Sequence, residues 1–166
     1  MQTDDSDNPL ASVPLEPVQE LKEAEPTPLT KPLSGNGTMH NDGTVSIRYI
    51  VDDVGEAIAF YQEFLGFELV MHPAPPFAIL SLGNLRLLLS QPGSGGGGRA
   101  MLDGSSPKPG GWDRFQITVN DLRSSYKTLK EKGARFKSDI IEGIGGDQAL
   151  LQDPSGNLVE LFELKK

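Results

Sequence analysis

Hydrophobic and polar positions from residue 44 to the end of the chain alternate between strand and helix patterns. Residues 45–51 switch between apolar and polar side chains and are rich in β-branched residues, which predicts a strand. Apolar residues then recur at helical spacing between Asp53, a predicted N-cap, and Gly66, a predicted C-terminal cap. Three strand patterns follow, at residues 67–71, 77–82 and 85–90. Gly83 and Asn84 separate the last two and predict a tight hairpin.

The second half of this region repeats the same order of elements. A strand pattern at residues 112–119 precedes a helix pattern at residues 121–132, which Gly133 ends. Three further strand patterns follow, at residues 135–141, 148–152 and 158–164. The sequence Asp153-Pro154-Ser155-Gly156-Asn157 places proline and glycine where a tight hairpin turn needs them.

Three short motifs occur in the same order in both halves, about 70 residues apart. Val51-Asp52-Asp53-Val54 corresponds to Val119-Asn120-Asp121-Leu122, Gly66 to Gly133, and residues 83–89 to residues 156–162. In this alignment Leu87 is the counterpart of Glu160. An ordered repeat of this kind predicts an α+β fold built from two tandem βαβββ modules.

Residues 1–43 differ in composition from the rest of the chain. They contain six of the 13 prolines, no aromatic residue, and eight acidic against two basic residues. Such a segment buries too little apolar area to offset its ordering entropy, which predicts a disordered, acidic, proline-rich tail. A short helix at residues 18–24 that docks on a partner is the alternative. The folded domain then spans residues 44–166, with modules at 44–90 and 112–166 and a glycine-rich linker at 91–111.

The overall composition narrows the function classes. The 166-residue chain has a net charge of −8, which argues against nucleic-acid binding because phosphate contacts need a basic face. It has no cysteine, so disulfides, thiolate metal sites and thiol nucleophiles are excluded. No apolar run approaches the roughly 20 residues of a membrane helix, and no secretory signal is visible. We therefore expect a cytoplasmic protein without a membrane or nucleic-acid partner.

The glycine-rich linker contains a Gly-x-Gly-x-x-Gly pattern at residues 93–98. This pattern indicates a dinucleotide site only where a helix follows it, whereas here Pro107 and Pro109 follow. We interpret the linker as a flexible loop at the rim of a site.

Two runs of the domain resemble one known superfamily. The first comprises residues 50–61, continued by Phe64-Leu65-Gly66-Phe67, and the second is the closing run at residues 153–163. Both resemble the vicinal oxygen chelate superfamily, which includes glyoxalase I, bleomycin-resistance proteins, extradiol dioxygenases and fosfomycin-modifying enzymes. The resemblance covers residues 44–166 and implies two curled sheets that enclose a cup, as well as a homodimer.

Metal-dependent members of this superfamily carry ligands on the first and fourth strands of each module. Carried over from the resemblance, the four positions are Ser46, Leu87, Arg114 and Glu160. Only Glu160 is a good ligand, because a guanidinium has no lone pair to offer and leucine has no donor atom. A divalent site of this kind needs about three nitrogen or oxygen ligands, and neither His40 nor His72 is placed to complete it. We therefore expect no metal cofactor.

Strand alternation places further side chains on the same face as these positions. This face is predicted to carry Arg48, Leu87, Arg114, Gln116 and Glu160. Phe77 and Trp112 are the expected aromatic walls, with a core position as the alternative for Trp112.

Three interpretations of Glu160 and the arginines follow. In the first, Glu160 forms an ion pair with Arg114 or Arg48. In the second, the arginines hold an anionic or carbonyl-bearing ligand through their forked N–H groups. In the third, burial raises the pKa of Glu160, which then acts as a general base.

These features lead to three functional hypotheses. The first, favoured by the poor donor set, is a metal-free module that binds a small molecule, as bleomycin-resistance proteins do. The second is an enzyme of the superfamily, of lyase, isomerase or dioxygenase class, with Glu160 as metal ligand or base. The third is a non-catalytic interaction protein in which the acidic tail carries the binding.

Overall fold

The computed structural model describes residues 43–165, which form nine strands and two α-helices. In chain order the elements are β1 (Val45–Ile50), α1 (Val54–Leu65), β2 (Glu68–Ala74), β3 (Phe77–Leu82), β4 (Leu85–Ser90), β5 (Arg114–Thr118), α2 (Leu122–Glu131), β6 (Arg135–Phe136), β7 (Ile141–Glu142), β8 (Gly146–Gln152) and β9 (Leu158–Leu164). A short 3-10 turn at Gly96–Gly98 interrupts the long loop between β4 and β5. The predicted tail lies, except for Gly43, outside the described residues.

The strands form two sheets of the same topology. The first has the order β1-β4-β3-β2, with β1 parallel to β4 and the other neighbours antiparallel. The second has the order β5-β9-β8-β6, with β5 parallel to β9 and β7 also paired to β8. The predicted α+β fold of two tandem βαβββ modules is therefore confirmed.

One predicted strand of the second module is interrupted. The pattern at residues 135–141 gives only the two short strands β6 and β7, which pair with separate parts of β8. Between them, Asp139 accepts a hydrogen bond from the Tyr126 hydroxyl at 2.8 Å and lies 3.6 Å from Lys130 Nζ. At Asp139, contacts with α2 therefore take the place of sheet pairing.

Helix α1 begins at its predicted cap, Asp53, and α2 begins after Asp121, which was predicted as its first residue and is its N-cap. The Asp53 carboxylate accepts a hydrogen bond from the Glu56 backbone N–H at 2.8 Å, and Asp121 accepts one from Ser124 N–H at the same distance. Gly66 ends α1 with a φ of 69°, a left-handed conformation that glycine adopts without strain. A side-chain cap of this kind typically stabilises a helix by about 1 kcal/mol.

The helices cover one side of both sheets and create one continuous core. Its buried side chains include Val54, Ala57, Phe60 and Tyr61 from α1, Leu122 and Leu129 from α2, and Tyr49, Leu87, Leu89, Phe115, Val159 and Leu161 from the strands. Tyr49 of β1 and Phe115 of β5 bring the modules together, with ring centroids 5.6 Å apart. Burial of each such large apolar side chain contributes about 1.5–3 kcal/mol.

The Tyr49 hydroxyl also joins the modules through hydrogen bonds. It donates to the Leu158 carbonyl oxygen at 2.5 Å and accepts from the Phe115 backbone N–H at 3.3 Å. Burial is the largest influence on this phenol and raises the pKa of Tyr49 to about 12. The hydroxyl therefore stays protonated and keeps both roles.

A second polar connection lies at the turn between β8 and β9. Asp153 is fully buried and accepts hydrogen bonds from the Tyr61 hydroxyl at 3.1 Å and from Asn157 Nδ2 at 2.8 Å. Asn157 Nδ2 also donates to the Ile50 carbonyl oxygen at 2.9 Å, in the first module. Burial raises the pKa of Asp153, although these hydrogen bonds act in the opposite direction. The closing turn of the second module thus contacts the first helix and the first strand.

The register of the first module corrects one prediction. Leu87 pairs with Ile47 and is fully buried on the helix side, whereas Leu88 pairs with Arg48. The expected position of Leu87 on the face of Arg48 is therefore wrong by one residue, and a slip of one residue moves a side chain to the other face of a sheet. The shared Gly-Asn-Leu motif marks the turn before the last strand of each module. The two turns differ in length, so the motif does not fix how that last strand pairs with the first strand of its module.

The backbone pairing gives the corrected correspondence between modules. The Val51 N–H donates to the Ser90 carbonyl at 3.0 Å, and the equivalent Val119 N–H donates to the Phe162 carbonyl at 2.8 Å. Two residues earlier on these strands, Leu88 is the structural counterpart of Glu160. Arg48 and Gln116 are counterparts in the same way.

Candidate functional site

We name the side of both sheets turned away from α1 and α2 the cup face. Directly paired residues of neighbouring strands point to the same side, so the register assigns each side chain to a face. The cup face carries Ser46, Arg48, Phe77, Ile79, Leu88 and Ser90 in the first sheet and Arg114, Gln116, Thr118, Glu160 and Phe162 in the second. All predicted site residues on the strands except Leu87 therefore share this face.

Glu160 lies at the centre of a hydrogen-bonded cluster in the second module. Its Oε2 accepts from Arg114 Nε at 2.6 Å, and its Oε1 accepts from Gln116 Nε2 at 2.7 Å. The Glu160 side chain is 10 % exposed, whereas the Arg114 side chain is 35 % exposed. Both carboxylate oxygens are thus engaged by side chains of the adjacent strand β5.

The pKa of Glu160 is lowered from its ordinary value. Burial is the largest single influence and raises this pKa, but the hydrogen bonds from Gln116 and Arg114 and the charge of Arg114 together outweigh it. The hypothesis of a general base with a raised pKa expected the opposite direction. Glu160 is therefore an ionised and fully engaged acceptor.

Trp112 forms a wall beside this cluster and is not a core residue, since it is 65 % exposed. Its backbone carbonyl accepts a hydrogen bond from Arg114 Nη1 at 3.2 Å, and Lys137 Nζ lies 4.5 Å from its ring centroid. A cavity of about 350 Å³ lies here, lined by Trp112, Asp113, Arg114, Gln116 and Glu160. The indole is accessible from solvent at the mouth of this cavity.

In the first module, Arg48 occupies the position that corresponds to Gln116, but it has different neighbours. Its Nη1 donates to the Ser90 hydroxyl at 2.6 Å, and its guanidinium carbon lies 5.8 Å from the Phe77 ring centroid. The Gly97 backbone lies against the same side chain, so that a Cβ atom at Gly97 would overlap the guanidinium. Within residues 43–165, no carboxylate lies within ion-pair distance of Arg48.

Arg48 and Arg114 line one further cavity, of about 430 Å³, between β1 and β5. Its other lining residues are Ile47, Tyr49, Ile50, Lys108, Gly110, Asp113 and Asn157. Lys108 and Asp113 were not predicted as site residues, although the Pro107-Lys108-Pro109 sequence fixes the backbone around the lysine. Ser90 was missed because of the register error in β4.

The positions where the resemblance expects metal ligands do not form a suitable donor set. With the corrected register they are Ser46, Leu88, Arg114 and Glu160, of which only the hydroxyl and the carboxylate have lone pairs to offer. The Glu160 oxygens already accept from Arg114 and Gln116. Among the described residues no three His, Cys, Asp or Glu side chains are grouped closely enough to hold a metal ion. His72 is exposed on β2, and His40 lies outside the described residues.

Comparison with solved structures places this fold among related proteins. A member of the glyoxalase/bleomycin resistance protein/dioxygenase superfamily from Sphaerobacter thermophilus DSM 20745 is 29 % identical, with a TM-score of 0.58 over 72 % of this chain and 95 % of the other. TnmS3, an antibiotic binding protein from Streptomyces sp. CB03234, is 21 % identical, with a TM-score of 0.54 over 74 % and 95 %. Lactoylglutathione lyase from Agrobacterium tumefaciens is 22 % identical, with a TM-score of 0.57 over 72 % and 91 %.

The match to a family model agrees with the structural comparisons. No curated protein matched the chain.

No helix between residues 43 and 165 has the length and apolar character to span a membrane. The Glyoxalase/Bleomycin resistance protein/Dioxygenase superfamily model matches residues 43–161. The chain therefore belongs to this superfamily.

Proposed function

We propose that this domain binds a small anionic or carbonyl-bearing molecule on its cup face, without a metal ion and without turnover. The observation that carries the proposal is the cavity of about 430 Å³ that both Arg48 and Arg114 line. Cavities of roughly 300–1,000 Å³ suit small-molecule ligands. Guanidinium groups offer paired N–H donors that match carboxylate and other oxyanion geometry.

The state of Glu160 supports binding rather than acid–base chemistry. A general base needs an accessible lone pair and a pKa near the working pH. Glu160 has both oxygens engaged and a lowered pKa. The positive charge of Arg114 also compensates the carboxylate, as a metal ion would at a metal-binding position.

The similar structures include proteins described by binding and by catalysis. TnmS3 is described as an antibiotic binding protein, and the Agrobacterium tumefaciens protein as a lactoylglutathione lyase. Because one fold hosts both classes, the choice depends on the residues of the cup face. Arg48, Arg114 and the satisfied Glu160 favour the binding protein.

A homodimer is part of this proposal. Strand β2 is the edge of the first sheet and exposes a short run of large apolar side chains, Leu69, Val70 and Met71. Exposed edges and apolar patches are typical of surfaces that pair with another chain. Light scattering at several concentrations checks this part, and a monomer at all of them would remove it.

The test of the proposal combines metal analysis with a ligand screen. Tag-free protein purified without chelator is offered nickel, zinc, manganese and iron, and its metal content is measured. We expect near-zero stoichiometry, together with thermal stabilisation by members of a panel of small carboxylates and carbonyl compounds. About one ion per chain, or chelator-sensitive turnover of a panel member, would instead support the enzyme hypothesis.

A further inference from the structure

We propose that the ligand is a carboxylate with an elongated apolar body and that its head group binds Arg48 of the first module rather than Arg114. This inference rests on the proposed function and specifies the ligand class and the anchoring residue. It follows from a comparison of the two modules, which place different chemistry at corresponding positions of the cup face.

In the second module, the charged group on the cup face has its hydrogen-bond partners within the module. There, Gln116 of β5 lies beside Glu160 of β9, and Arg114 completes the contacts of the carboxylate. The corresponding positions in the first module hold Arg48 and Leu88. The first module therefore has a cation where the second has an amide, and it lacks the internal carboxylate.

Arg48 is held in place but keeps free donors. Ser90, whose side chain is buried, takes one N–H of the guanidinium at 2.6 Å. The Phe77 ring and the Gly97 backbone both lie close to the group. An arginine fixed in this way presents its remaining N–H donors with little loss of side-chain entropy on binding, which favours a bidentate carboxylate.

The neighbours of Arg48 across the sheet define the rest of the ligand. Arg48 pairs with Leu88, Leu88 with Ile79, and Ile79 with Met71, so one row crosses all four strands. At about 4.8 Å between strands, this row runs for about 14 Å from a cation over three apolar side chains. Leu88 and Ile79 are half-buried and Met71 is 46 % exposed. Of these four residues only Arg48 lines the cavity between β1 and β5. A carboxylate bound at Arg48 therefore places its head group at that cavity and its apolar body on the row beside it.

The glycine-rich loop explains how the position of Arg48 is maintained. The Gly93 N–H donates to the Gly98 carbonyl at 2.8 Å, and the Ser94 hydroxyl donates to the Gln91 carbonyl at 2.6 Å. These bonds close the loop and place Gly97 against Arg48. Because Gly97 does not need a positive φ, alanine at this position displaces the guanidinium while retaining its charge.

The test uses 4-phenylbutanoate as the probe, with acetate, 4-phenylbutanamide and inorganic phosphate as comparison ligands. Affinities are measured by calorimetry, and the Gly97 amide and Arg48 Nε–H signals are followed by NMR. We expect 4-phenylbutanoate to shift both signals and to bind at least about tenfold more tightly than each comparison ligand. If the amide binds as tightly as the probe, the assignment of a carboxylate head group is wrong. If acetate binds as tightly, the apolar body is not recognised. If phosphate binds more tightly, the ligand class is wrong.

Three variants locate the head group. We expect Arg48→Gln to weaken binding of the probe about 10- to 100-fold, because the charged hydrogen bonds to its carboxylate are lost. Gly97→Ala should weaken it severalfold through displacement of the guanidinium. Arg86→Gln is the matched control, since Arg86 lies on the same face beside Ser46 but outside the cavity, and it should change affinity less than twofold.

The outcomes separate this inference from the proposed function. If the probe binds but Arg48→Gln and Arg86→Gln weaken it equally, the anchoring role of Arg48 is wrong while ligand binding stands. If Arg114→Gln combined with Glu160→Gln abolishes binding and Arg48→Gln does not, the head group belongs to the second module. If neither the probe nor any anionic or carbonyl compound binds, the proposed function itself fails.

Discussion

Arg114 and Glu160 form an ion pair in which one partner faces solvent and the other does not. Arg114 Nε lies 2.6 Å from Glu160 Oε2, and the side chains are 35 % and 10 % exposed. A guanidinium at this depth is partly hydrated, whereas the carboxylate depends on its protein donors. Substitution of one residue is therefore expected to change the free energy of unfolding by a different amount from substitution of the other.

We expect Arg114→Ala to lower the free energy of unfolding by about 1–3 kcal/mol, because a nearly buried carboxylate loses a charged donor. Glu160→Gln should have a smaller effect, since the freed arginine reaches water. The double variant should be less destabilised than the sum of the two, with a coupling of about 0.5–3 kcal/mol. Urea denaturation of the four proteins measures this coupling, and strict additivity would contradict the pairing.

The lowered pKa of Glu160 predicts a pH-dependent contribution to stability. The folded state holds this proton less tightly than the unfolded chain, whose carboxyl titrates near 4.5. The stabilisation is therefore complete above that value and is lost as the pH falls through the folded-state pKa. The stability difference between wild type and Glu160→Gln should shrink as the pH is lowered below 4.5. Asp153, whose pKa is raised, titrates in both proteins, so its contribution cancels from this stability difference. If the stability difference does not depend on pH, the lowered pKa of Glu160 is wrong.

Tyr49→Phe tests the hydroxyl that joins the modules. The substitution keeps the ring contact with Phe115 but leaves a buried N–H and a buried carbonyl without their partner. We expect a loss of about 1–3 kcal/mol in the free energy of unfolding. Tyr126→Phe is the control, because its hydrogen bond to Asp139 is exposed, and it should cost less than about 1 kcal/mol. Similar losses in both variants would argue against a special role for Tyr49.

Leu87→Ala and Leu88→Ala test the corrected register. Leu87 is fully buried in the core, so its truncation should destabilise the domain by about 2–5 kcal/mol. Leu88 is half-buried on the cup face, and its truncation should cost clearly less while weakening binding of an apolar carboxylate. Thermal and urea unfolding give the first quantity and calorimetry the second. The reverse order of destabilisation would show that the faces of β4 are assigned incorrectly.

The order of elements was predictable from the sequence because it depends on local patterns. The bounds of β3, β4 and β9 agree with those expected, and Asp53 and Gly66 cap α1 as predicted. Cap residues and turn glycines act through nearby backbone atoms, so their signal is visible in a short window of sequence. The repeat of these local signals was sufficient to predict the fold.

The parts that were not predictable depend on contacts between distant segments. Alternation in β4 separates two faces, but five of its six residues are apolar or aliphatic-stemmed, so it does not say which face meets Ile47 and which meets Arg48. The direction of the Glu160 pKa shift also required geometry, since burial and donors act in opposite directions. Lys108 was missed because a loop residue has no periodicity to place it at a cavity.

The closing turn of the second module has a consequence for the evolution of the duplicated chain. Asp153 and Asn157 complete the hydrogen bonding of Tyr61 and Ile50 in the first half. A fragment ending before residue 112 would lack the partners of that hydroxyl and that carbonyl oxygen. Substitutions at Tyr61 are therefore expected to be tolerated only together with changes at Asp153, more than ninety positions away.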